Sequence, residues 1–103
     1  MAATEQPVAS DYVGLTAFQR DILWTVQHHG GAKYGLAIKE ALEEEGYGEV
    51  NHGRLYPNLD TLVDRGLIEK SELDKRTNEY ALTDEATSLL ADRQSWERGE
   101  HEV

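Results

Sequence analysis

The spacing of apolar residues changes from helical to alternating and back along this 103-residue chain, and the places of the changes limit the folds open to it. Before Gly66 the apolar residues recur at helical intervals. Phe18, Ile22, Leu23 and Val26 form one stripe, Ile38, Ala41 and Leu42 a second, and Leu55, Leu59, Leu62 and Val63 a third. Beyond Gly66, the runs at 67–73 and 78–82 show rough alternation around the polar turn Asp74-Lys75-Arg76-Thr77, the pattern of a β-hairpin. Ala86, Leu89, Leu90 and Trp96 then supply a last helical stripe.

Local signals set the boundaries. Thr16 with Gln19 three residues later is a capping box, so the first helix is expected over 16–28 and stops at Gly30-Gly31. The second is expected over 34–45, with Gly46 as its C-terminal cap. The third starts between Asn51 and Gly53 and ends at Gly66. Pro57 falls early in it, so this helix either begins late or gives up one hydrogen bond. Thr83 caps the last helix, with Asp84 and Glu85 favourably placed in its first turn. Residues 1–14 read as a partly ordered arm with Val8, Tyr12 and Val13 as anchors, and the charged tail from Glu97 is expected to fray. Helix, helix, helix, hairpin, helix is the plan of a winged helix-turn-helix, mainly α with a small β-hairpin. The divisions are an arm over 1–14, the winged domain over 15–82 and a C-terminal helix and tail over 83–103.

Composition excludes several chemistries. Without cysteine there is no disulfide, thiolate metal site or thiol redox centre. No apolar run approaches the roughly 18 residues that cross a membrane. No secretory signal is legible at the N-terminus, and a cytoplasmic location is expected. The four histidines (28, 29, 52 and 101) lack metal-ligand spacing. Glu43, Glu44 and Glu45 are consecutive on a helix and diverge in direction, so they form no catalytic pair. No phosphate loop, dinucleotide fingerprint or nucleophile triad is present, and neither an enzyme nor a bound cofactor is expected.

The net charge of −10 argues at first against nucleic acid, whose backbone is itself polyanionic. Its distribution argues otherwise. Residues 28–39 carry two lysines and no acid, and residues 50–59 carry one arginine and no acid. They fall at the starts of the second and third helices, where a helix-turn-helix meets DNA. With the leucine stripe turned to the core, the third helix presents Arg54, Asn58, Thr61 and Arg65 on its other side. Arg is suited to guanine O6/N7 and Asn to adenine N6/N7, and Arg54 and Asn58 lie early enough to reach base edges. Arg65 lies late, nearer backbone or an acid partner such as Asp60 or Asp64. Lys75 and Arg76 at the hairpin tip suit phosphate or minor-groove contact. Lys33 and Tyr34 ahead of the second helix suit a phosphate at its N-terminus, although Tyr34 also has a core reading. Tyr56 is read as packing, with its hydroxyl free for a phosphate, and Asn51 and His52 complete the DNA-facing set.

Three strings carry a resemblance: Leu15 to Leu23, Tyr34-Gly35, and Gly53-Arg54-Leu55-Tyr56-Pro57-Asn58-Leu59-Asp60-Thr61-Leu62 followed by Gly66-Leu67-Ile68. Across residues 15–96 the chain resembles PadR-type winged-helix transcription regulators. The resemblance implies a homodimer on a pseudo-palindromic operator of double-stranded DNA, usually acting as a repressor. It also places Gly53 to Asn58 in the first turns of the recognition helix. Four lysines against thirteen glutamates make the chain look like a haloarchaeal member, a group that includes an oxidant-responsive regulator. The plainer reading of the charge is an acidic protein that keeps itself soluble. Many family members carry a long helical C-terminal domain, whereas about twenty residues follow the wing here. Dimerisation is therefore expected through the C-terminal helix, by Leu89, Leu90, Arg93 and Trp96, with Tyr12 from the arm. Leu89 and Leu90 also have a core reading.

High salt constrains the mode of binding. Affinity falls with a slope of about −0.9 per neutralised phosphate, so six such contacts would lose roughly seven decades between about 0.2 M and about 4 M salt. Hydrogen bonds, shape readout and monovalent cations bridging carboxylates to phosphates are expected to carry more of the interface. The alternative function is a winged-helix protein–protein adaptor that binds no DNA. A small-molecule sensor is a third option, for which the chain looks too short. With no cysteine and only Met1, an oxidant signal would have to act by another route than sulfur chemistry.

Overall fold

The structure, a computed structural model, describes residues 9–100. The order is α1 (Ala9–Val13), α2 (Ala17–His28), β1 (Ala32–Tyr34), α3 (Gly35–Leu42), α4 (His52–Asp64), β2 (Ile68–Asp74), β3 (Thr77–Leu82) and α5 (Asp84–Glu97). Between α3 and α4 the chain makes a wider π-type turn at Glu43–Tyr47, in which Gly46 adopts φ 118. That conformation is costly for a residue with a Cβ, and it swings Tyr47 back toward α2. The expected anchor Val8 and the tail residues 101–103 lie outside the described residues.

The caps stand where local chemistry puts them. Thr16 accepts from the Gln19 peptide N–H (3.1 Å) and Gln19 Oε1 accepts from that of Thr16 (3.1 Å), completing the capping box of α2. The Asn51 side chain caps α4 by accepting from the Arg54 N–H (2.8 Å). Thr83 caps α5 (Ala86 N–H, 3.1 Å), and its hydroxyl donates to the Gly66 carbonyl (2.8 Å), tying the end of the wing to the end of α4. Pro57 lies inside α4, so this helix does not start late. Pro57 has no N–H to give the Gly53 carbonyl, and the cost is that one hydrogen bond.

Two elements differ from the expectation. The hairpin is part of a three-stranded antiparallel sheet in the order β1-β3-β2. Ala32, Lys33 and Tyr34 form its third strand, opposite Ala81, Tyr80 and Glu79, and the second helix starts only at Gly35. The Leu82 N–H donates to the Gly31 carbonyl (2.8 Å), extending this edge. The arm, in turn, holds the short helix α1, which packs on α5.

One core joins all these elements. Phe18, Ile22, Leu23 and Val26 of α2 meet Ile38 and Leu42 of α3, Leu55, Leu59 and Leu62 of α4, Ile68 and Tyr80 of the sheet, and Ala86, Leu89 and Leu90 of α5. Tyr12 and Leu15 close it on the α1 side. The exposed residues of α4 are left facing outward beside the wing.

Candidate nucleic-acid interface

The outward pole of α4 is Gly53, Pro57, Asp60 and Asp64, all exposed. Its N-terminal half has small or cyclic side chains there, which permits close approach of the helix to a surface. The acids come only in the later turns. Arg54, Asn58 and Thr61 occupy one flank, and His52 and Tyr56 the other.

On the first flank, Arg54 is exposed, yet its guanidinium carbon stands 4.0 Å from the centroid of the Phe18 ring and 5.4 Å from that of Tyr47. Asn58 is half-buried and held at both ends. Its Nδ2 donates to the Arg54 carbonyl (2.7 Å) and its Oδ1 accepts from Gln19 Nε2 (2.9 Å). Thr61 donates to the Pro57 carbonyl (3.1 Å). Asn51 is occupied by the cap. Of the residues expected to read bases, Arg54 keeps the most surface.

On the second flank, His52 and Tyr56 meet edge to face at 5.4 Å. The half-buried Tyr56 leans against α3 so closely that a Cβ on Gly35 would lie 2.6 Å from its hydroxyl. The glycine of the Tyr34-Gly35 pair is thus the space in which Tyr56 sits. Beyond it an open groove of about 530 Å³ runs between the start of α3, Tyr56 and the wing, with Tyr34, Leu36 and Arg76 along its sides. Tyr34 is 49% exposed, which settles it as a surface residue. Lys33 is half-buried in β1 and borders a neighbouring cleft with His29, Tyr34 and Glu79.

Lys75 and Arg76 are exposed at the wing tip. Asp74 beside them accepts from the Arg76 N–H (2.8 Å). That bond, with those from Thr77, holds its carboxyl below the usual range. Arg65 faces away from this surface. It borders a cleft at the far end of α4 with Asp11, Leu67 and Glu85, so its surroundings are acidic and remote from the groove.

The residues expected at a dimer interface divide. Tyr12, Leu89 and Leu90 are 5%, 2% and 0% exposed and lie in the core of the single chain, which leaves them almost no side-chain surface for a partner. Tyr12 also accepts from Trp24 Nε1 (2.9 Å). Trp96 is 54% exposed, and Arg93 lies between it and Tyr12, at 4.3 and 4.8 Å from the ring centroids.

Sequence reasoning missed the surroundings of Arg54. Tyr47 meets Phe18 edge to face (5.2 Å, 78°) and donates its hydroxyl to Asp21 Oδ2 (2.5 Å). Burial, and then the bond to Asp21, push the Tyr47 hydroxyl up to about 12, so it stays a donor. No short-range signal links Asp21, Tyr47 and Arg54. Gln19 was legible only as a cap partner, and its second bond spans 39 positions.

Among the described residues no group of His, Asp and Glu is placed to hold a metal ion, and no helix is long and apolar enough to cross a membrane.

The fold matches known regulators. RosR of H. salinarum, in crystals grown from NaBr, is 59% identical over 84% of this chain and 76% of its own, with a TM-score of 0.78. The hsRosR-S1 complex matches at 58% identity over 87% and 79%, with a TM-score of 0.81. F93 from STIV, a winged-helix DNA-binding protein, shares the fold at 15% identity, covering 82% of this chain and 91% of its own (TM-score 0.67). No curated protein matches. The acidic, lysine-poor composition accords with the RosR match and is a halophilic one. The transcriptional regulator PadR-like family matches residues 22–92, spanning the core of α2 through most of α5. The chain belongs to the PadR-like family of winged-helix, DNA-binding transcriptional regulators.

Proposed function

We propose that this regulator acts in the cytoplasm as a homodimeric repressor on a pseudo-palindromic operator at high salt. The N-terminal half of α4 enters the major groove and the wing tip lies on the flanking backbone. One observation carries the reading: in a chain of net charge −10, Tyr56 of α4, the start of α3 and Arg76 surround one open groove free of carboxylates along its sides. Few cations reach this surface. Arg54 is exposed on the other flank of α4, Lys75 and Arg76 are exposed at the wing tip and Lys33 is half-buried in β1, so counterion release is limited and the binding is correspondingly tolerant of salt. Monovalent cations bridge nearby carboxylates, among them Asp60, to phosphates. Family membership favours this reading over a protein adaptor.

Dimerisation through the outer face of α5 is supported by Trp96 and by Val13, which is 57% exposed on the neighbouring α1. Two measurements test the proposal. The first is a titration against duplex DNA from the protein's own upstream region, between about 0.2 M and about 3 M KCl, with Arg54→Ala alongside. Selective binding that persists at the upper end and weakens in the variant is expected. A loss of several decades across that range would overturn the ion-bridged interface, and absence of selectivity at any salt would restore the adaptor reading. The second is sedimentation of Trp96→Ala, expected to shift the protein toward monomer. An unchanged dimer would place the interface elsewhere.

A further inference from the structure

Arg54 is held by aromatic faces in a protein crowded with carboxylates. Of the three ion pairs among the described residues, none involves it. Its backbone is fixed on both sides, by Asn51 at the N–H and Asn58 at the carbonyl. Its head rests over Phe18 and beside Tyr47. The nearby acid, Asp21, is itself engaged by the Tyr47 hydroxyl.

We infer that Phe18, Tyr47 and Asp21 form a seat that presents the Arg54 guanidinium to DNA, with Tyr47 and Asp21 as positioning residues for base discrimination. This rests on the reading of α4 as the recognition helix. The chemistry favours such a seat. A carboxylate partner would occupy the in-plane N–H groups that a base or phosphate needs. Stacking uses the face of the guanidinium and leaves its N–H edge free. An exposed ion pair would also be screened in molar salt, where the Debye length is about 3 Å, whereas a ring in van der Waals contact remains. Asp21 contributes by orienting Tyr47, and Tyr47 keeps that carboxylate from capturing Arg54. The π-type turn with Gly46 at φ 118 is the backbone device that delivers Tyr47 to this place.

The test measures affinity of the full chain, by fluorescence anisotropy at fixed KCl, for its own upstream duplex and for an unrelated duplex of equal length. The variants are Arg54→Ala, Tyr47→Leu, Tyr47→Phe, Asp21→Asn and the double variant Tyr47→Leu/Arg54→Ala, each with its Tm. Arg54→Ala is expected to lower the preference for the upstream duplex about 10- to 100-fold. Tyr47→Leu is expected to lower it about 3- to 10-fold, and to add nothing once Arg54 is gone. Tyr47→Phe and the exposed Asp21→Asn are expected to lower it about 2- to 4-fold at unchanged Tm, and they decide the matter if Tyr47→Leu fails to fold. If Arg54→Ala changes nothing, the reading of α4 falls and the seat with it. If Arg54→Ala weakens discrimination while the Tyr47 and Asp21 variants leave it intact, or if the double variant is additive, the seat is overturned and the reading of α4 stands.

Discussion

Gly35→Ala tests how α3 and α4 are joined beneath the groove. An added Cβ would lie 2.6 Å from the Tyr56 hydroxyl oxygen, 3.0 Å from Cε1 and 3.1 Å from Cζ. Two ring atoms are involved besides the hydroxyl oxygen, so rotating one terminal group does not relieve the clash. The ring is flanked by His52 at 5.4 Å and Tyr80 at 6.5 Å between centroids, so a shift of the ring disturbs both contacts. Gly35 is not among the glycines with positive φ, so its backbone accepts alanine. Alanine would even favour the helix by up to about 1 kcal/mol. Overpacking of this kind costs about 1–3 kcal/mol, so a net destabilisation of about 1–2 kcal/mol is expected. Thermal unfolding followed by circular dichroism at constant KCl should show a fall in Tm of roughly 5–15 °C. In a Tyr56→Ala background the same substitution should be neutral or stabilising, a coupling of about 1 kcal/mol or more. An unchanged Tm for Gly35→Ala, or an equal loss with and without the Tyr56 ring, would refute the steric argument.

Two further substitutions probe single bonds. Thr83→Ala removes both the α5 cap and the bond to the Gly66 carbonyl; a loss of about 1–2 kcal/mol is expected from Tm, with Thr83→Ser retaining most of the stability. Glu43 has its carboxyl held below the ordinary 4.5, first by the Val50 peptide N–H (2.9 Å) and then by Lys39. A value depressed in the folded state contributes stability that is whole above the unfolded value and is lost as pH falls through the folded one. Glu43→Gln should therefore lower Tm at pH 7, and the gap to the parent should narrow below about pH 4.5. A gap that widens with acid would contradict the assigned bond.

Much of the fold was legible because its determinants are short-range. The capping box of Thr16 and Gln19 and the cap of Thr83 join residues three apart, and each was readable before any contact was known. The leucine stripe of α4 and the polar turn of the wing follow from periodicities of 3.6 and 2. The strand β1 was not legible. Ala32, Lys33 and Tyr34 are too short a run to establish a period, and they are a strand only because β3 lies alongside. Tyr12 read as part of an arm because its partners, Trp24, Arg20 and Arg93, lie up to the far end of the chain.

The candidate site divides in the same way. The acid-free stretches, the identity of Arg54 and the cations at the wing tip are properties of the chain order, and they located the surface. Which of those side chains remain available is a matter of long-range packing. Gln19 engages Asn58 across 39 positions, and Asp21 engages Tyr47 across 26. Such bonds depend on angles between helices that no local spacing encodes. Sequence alone determined which polar side chains α4 turns away from the core, because polarity and helical period are local. Tertiary structure decided that Arg54 is presented on aromatic faces while Asn58 is tied down, because both outcomes depend on how α2 and the turn before α4 close around one end of that helix.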